Sequence, residues 1–122
     1  MRESVLWDGD VGRVFALSTA TFHTVARVGE VPEGQGRAFE VDGRMIAVFQ
    51  DQGEYYAIDD ACPHQGAPLS DGIVFDKSVT CTWHGWRFCL KDGHWLDSMK
   101  SRVRVGTYPV RVVDGEIQVS VD

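Results

Sequence analysis

The chain of 122 residues suits one compact domain, and its 43% hydrophobic and 25% charged side chains argue against both disorder and a membrane span. Its net charge of -6 disfavours nucleic acid and anionic membranes as partners and suits the approach of a basic protein. That charge is uneven: residues 1–76 hold 13 acidic and 5 basic side chains, residues 77–122 hold 5 and 7.

The opening residues Met1 to Asp8 mix charges into what a secretory signal would keep apolar, and Asp10 and Arg13 interrupt it further. This places the protein in the cytoplasm. Three cysteines do not form an even disulfide framework, which fits a reducing compartment. Residues 1–20 read as an extension: Val5-Leu6-Trp7 and Arg13 to Leu17 flank a Gly-containing stretch, as a small hairpin or a loosely attached arm. An apolar face on this segment would suit a homo-oligomer.

From Phe22 the pattern is that of a β protein. Phe22 to Val28 alternates apolar and polar residues, and residues 29–36 form a loop containing Pro32. Arg37 to Val41 and Arg44 to Phe49 are joined by Asp42-Gly43, a strong hairpin signal, and Asp51-Gln52-Gly53 turns into Glu54 to Ile58. A three-stranded meander is expected there. Ile73 to Phe75 and Ser78 to Cys81 form a second pair turning at Asp76-Lys77. Trp86 to Leu90 and His94 to Leu96 flank Lys91-Asp92-Gly93, and Thr107 to Val113 and Glu116 to Val121 flank Asp114-Gly115. No segment carries a 3.6-residue apolar stripe, apart from a short turn near Asp97 to Lys100. The fold class is therefore all-β, small antiparallel sheets packed as a sandwich or partial barrel, with a subdomain of about residues 60–99 inserted into the larger unit.

Two stretches carry the chemistry. Cys62-Pro63-His64 and Cys81-Thr82-Trp83-His84 each supply one cysteine and one histidine, with sixteen residues between His64 and Cys81. Thiolates and imidazoles together select among zinc, iron-sulfur centres and copper. Structural zinc fingers pair cysteine with cysteine and histidine with histidine at wider spacing, so a tight C-x-H pair fits them poorly. A [2Fe-2S] cluster accounts for the mixture better, each loop giving one ligand to each iron.

C-P-H-Q-G-A-P-L-S-D-G from Cys62 to Gly72, with C-T-W-H-G-W-R-F from Cys81 to Phe88, closely resembles the two cluster-binding boxes of Rieske proteins. The resemblance extends more weakly over residues 22–121, so that residues 21–122 form the Rieske domain. It implies a Rieske-like fold holding one [2Fe-2S] cluster per chain, with Cys62 and Cys81 on one iron and His64 and His84 on the other. It also implies that Gly66 and Gly85 let backbone N–H groups approach the cluster sulfurs, and that Pro68 and Tyr108-Pro109 wall off water. Respiratory-complex relatives carry an extra cysteine in each box, joined as a disulfide, and a hydroxyl after the second histidine. Here those positions are Ala67, Trp83 and Gly85-Trp86. Fewer hydrogen bonds to the sulfurs imply a potential in the lower part of the roughly -150 to +300 mV range of such centres.

The resemblance thus points to a soluble ferredoxin, an electron-transfer component and not itself an enzyme, taking electrons from a reductase and giving them to an oxygenase or related terminal enzyme. The alternatives are the small subunit of an NAD(P)H-dependent nitrite reductase and a zinc-stabilised interaction domain. His23 and His94 are expected to be ordinary strand and turn residues, Cys89 a structural thiol, and Trp83, Trp86 and Trp95 packing around the site.

Overall fold

The structure is a computed structural model that describes residues 21–83, 85–98 and 100–121. The hairpin or arm expected over residues 1–20 and the side chain of His84 lie outside the described residues.

Among the described residues, ten strands run in chain order: β1 (His23–Arg27), β2 (Gly36–Val41), β3 (Arg44–Asp51), β4 (Glu54–Asp59), β5 (Ile73–Phe75), β6 (Ser78–Thr80), β7 (Arg87–Cys89), β8 (Thr107–Tyr108), β9 (Val110–Val113) and β10 (Glu116–Val119). A 3-10 turn, Leu69–Asp71, precedes β5. These strands pair antiparallel and, among the described residues, give three sheets, ordered β9-β10-β1, β2-β3-β4-β8 and β5-β6-β7.

The meander β2-β3-β4 is the centre of the molecule. Four successive residues of β3, Ile46 to Phe49, are fully buried, so this strand has core on both faces. Ile46 and Val48 pack with Ala26, Val31, Val41, Ala57, Ile117 and Val119, under the β9-β10-β1 sheet. Ala47 and Phe49 face the other way, onto Ile58, Leu69, Val79, Phe88, Leu90 and the two cysteines Cys62 and Cys81. The four-stranded sheet therefore lies between the other two, and the side that meets β5-β6-β7 is the side that carries the thiols.

Turn chemistry fixes the registers. Asp42-Gly43, Gln52-Gly53 and Asp114-Gly115 place both central residues at left-handed φ, which a tight two-residue hairpin requires. Asp76 and Lys77 do the same without glycine, at φ 51° and 62°. The buried carboxylate of Asp51 offsets that strain by accepting the Lys77 N–H at 2.6 Å.

Two expected strands take a different form. Residues 94–96 make only isolated bridges, His94 to Arg104 and Phe88 to Trp95. The reason is local: the Asp97 carboxylate takes the Arg87 N–H at 2.9 Å, displacing a backbone partner. The long strand expected from Thr107 to Val113 is split at Pro109, which has no N–H to give a ladder. Its two pieces, β8 and β9, belong to different sheets.

Candidate metal centre

The first ligand loop leaves β4 through Asp60-Ala61 and returns through Ala67-Pro68, where an Ala61–Pro68 bridge closes its base. Inside it, the Cys62 N–H donates to the Ala67 carbonyl at 2.9 Å and the Gly66 N–H to the Cys62 carbonyl at 2.7 Å. The second loop joins β6 to β7. There the Cys81 N–H donates to the Trp86 carbonyl at 2.7 Å and the Gly85 N–H to the Cys81 carbonyl at 2.9 Å. The two loops are thus one backbone frame used twice: a cysteine opens it, and a glycine four residues later sits at φ +76° or +77°. The unequal C-x-H and C-x-x-H spacings change only which position of the frame holds the histidine.

Asp60 anchors the first loop. It is buried, its carboxylate accepts the Ser70 N–H at 2.9 Å and its carbonyl accepts the Leu69 N–H at 2.6 Å. Sequence reasoning passed over this residue, although an aspartate just before a turn is the signal for such a role.

Cys62 and Cys81 are 2% and 3% exposed, and both are free thiols. Both lie in the same buried cluster. Burial pushes the Cys62 thiol up and the neighbouring Cys81 sulfur pushes the same way, while the backbone N–H groups of His64 and Gln65 pull toward the thiolate. The N–H groups aimed at this sulfur are therefore those of His64 and Gln65. The N–H groups of Gly66 and Gly85 themselves donate to the cysteine carbonyls.

These residues fit an iron-sulfur cluster. Two free thiols buried in one core cluster are the soft donors that an iron-sulfur centre takes as ligands. Among the described residues no point gathers three His, Cys, Asp or Glu donors.

His64 is exposed on the rim of its loop. Its imidazole stacks on Trp86, centroids 4.4 Å apart and planes 5° from parallel, and Trp86 in turn stacks on Trp95 at 4.0 Å and 15°. The Trp95 indole N–H donates to Asp97 at 3.2 Å, and Asp97 pairs with Arg87 at 2.9 Å. This column was not foreseen, since its members are far apart in sequence.

The remaining candidates take structural places. Cys89 is half-buried and lies on β7. His23 lies on β1, and His94 follows the 90–93 turn, its N–H donating to Asp92 at 2.9 Å. Trp83 is 57% exposed beside His84, so it is no packing residue. Tyr108 and Pro109 line a cavity of about 390 Å³ with Tyr55, Tyr56, Leu90 and Lys91, and none of Cys62, His64 or Cys81 contributes to it.

The family model for the Rieske [2Fe-2S] domain matches residues 21–109. The chain is 39% identical over 98 residues to a 3-phenylpropionate/cinnamic acid dioxygenase ferredoxin subunit of Photorhabdus laumondii subsp. laumondii, covering 80% of this chain and 91% of that one. It is 34% identical over 114 residues to a 4beta-methylsterol monooxygenase of Methylococcus capsulatus, covering 86% of this chain but only 31% of that longer protein. Among solved structures, one assigned as an NADH-dependent nitrite reductase small subunit from Mycobacterium tuberculosis superposes with a TM-score of 0.78 at 32% identity, over 84% of this chain and 96% of the other.

Proposed function

Since the chain belongs to the Rieske [2Fe-2S] domain family, we propose that Cys62 and Cys81 hold one iron of its cluster and His64 and His84 the other. The protein carries one [2Fe-2S] cluster and is an electron-transfer component, not a catalyst in its own right. When bound, the cluster supplies a one-electron couple. The chain's own residues do the rest: the buried cysteines sit within the core, the two glycine frames fix the loop shapes, and His64 lies at the solvent edge where a partner can approach.

We take residues 21–122 as the Rieske domain, with the cluster-bearing part at about 60–99. Electrons come from a reductase and pass to a terminal oxygenase, in keeping with the ferredoxin-subunit relative that this chain covers almost end to end. Among the described residues no helix is long and apolar enough to cross a membrane, and the free thiols suit a cytoplasmic setting. The nitrite reductase small subunit is a second reading, favoured by the structural match at TM-score 0.78. Which redox enzyme co-purifies with the chain distinguishes the two.

The single observation that carries the proposal is the repeated loop frame, which sets Cys62 and Cys81 in one buried cluster. Anaerobically purified protein is expected to hold two irons and two sulfides per chain, with a visible spectrum that bleaches and a rhombic EPR signal that appears on dithionite reduction. Cys62→Ser and His84→Ala lose that spectrum, whereas Cys89→Ser and His94→Ala keep it. A colourless, EPR-silent protein with one zinc per chain overturns the reading.

A further inference from the structure

An exposed histidine on a loop has two freely turning side-chain torsions, and ligation through one ring nitrogen fixes that nitrogen without fixing the plane of the ring. His64 is such a residue, yet its ring lies within 5° of parallel to Trp86, and Trp86 lies within 15° of parallel to Trp95. The far end of the column is tied down twice. Asp97 accepts the Trp95 indole N–H at 3.2 Å, and the same carboxylate holds the Arg87 N–H and side chain, each at 2.9 Å. Arg87 opens β7, immediately after Trp86, so the anchor and the stacked ring share one piece of backbone.

We propose that Trp86, Trp95 and Asp97 form a clamp that fixes the plane of the His64 imidazole, and are positioning residues for the electron-transfer centre. The inference rests on the reading of His64 as a cluster ligand. Ring plane sets how imidazole π orbitals overlap the iron orbitals, so a clamped plane gives one electronic environment in place of a distribution. A rigid ligand also costs less reorganisation at each electron transfer. The offset-parallel arrangement suits this role because stacked rings resist rotation but leave the ring edge, through which a partner couples, uncovered. Trp86 and Trp95 are half-buried and pack on their inner sides against the core that holds Cys62 and Cys81.

The test uses the whole chain with its cluster, reduced, and reads the nitrogen hyperfine couplings of the histidine ligands by pulsed EPR. Wild-type protein without a Rieske signal overturns the ligand reading itself, and the clamp with it. Given a wild-type signal, Trp86→Leu and Trp95→Leu are each expected to broaden the couplings of one histidine while leaving those of the other narrow. Trp86→Phe, which keeps a flat ring, is expected to restore most of the wild-type width. Wild-type couplings in both leucine variants, or equal broadening of both histidines, overturn the clamp. Should Trp86→Leu fail to retain its cluster, Trp95→Leu carries the test, because it leaves the ring next to His64 in place.

Discussion

Gly66 and Gly85 sit in the left-handed region, and a Cβ built on either meets nothing within 4 Å. Their requirement is conformational and not steric, which makes them a clean probe of the loop frame. Gly66→Ala is expected to cost about 1 kcal/mol, the penalty of an ordinary residue at that φ, and Gly66→Asn less, since asparagine tolerates the region better. Chemical denaturation measures the loss, and the half-life of the cluster's visible absorption should shorten in the same order. The proposed ligands could be singled out residue by residue, because cysteine and histidine declare their chemistry by type and spacing. The Trp86–Trp95 column was not. Its contacts join positions 64, 86 and 95 across three turns of chain, and a tryptophan beside a metal box reads equally well as packing.

At the level of elements, β3 decides how the site is coupled to stability. Its side chains alternate between two cores, and only one of these contains the cysteines. Phe49→Ala removes a fully buried ring from the core that Cys62 and Cys81 share, and should cost about 3–5 kcal/mol. Ile46→Ala empties the other core, at about 2–5 kcal/mol. Thermal unfolding should report a loss for both. Cluster retention at a temperature where each variant is still folded should fall for Phe49→Ala and hold for Ile46→Ala; equal loss in both would show that the two cores act as one. The hairpins were readable because Asp-Gly turns and a continuous apolar run admit few alternatives. Residues 94–96 were misread as a strand, because a side chain, Asp97, took a bond that the pattern assigned to backbone.

For the molecule as a whole, the order in which sheets stack was beyond the sequence: β8 joins β4 by pairing Ala57 with Tyr108, a contact between distant segments that no local pattern announces. Net charge needs no such knowledge, and it sets how partners arrive. At low ionic strength the Debye length is about 30 Å at 0.01 M, so a visitor feels the total of -6. At about 1 M it shrinks to roughly 3 Å and only the surface beside the loops is felt. Reduced protein should therefore be oxidised by ferricyanide, an anion, faster as salt is raised, and by a cationic cobalt(III) complex more slowly, each on the order of several-fold. Stopped-flow bleaching of the reduced form measures both. The reverse signs would assign control to the basic surplus of residues 77–122, which includes the second ligand loop, and would predict an acidic docking face on the physiological partner. With the expected signs, that partner presents a basic one, and its electron-transfer rate should fall with salt as the cationic reagent's does.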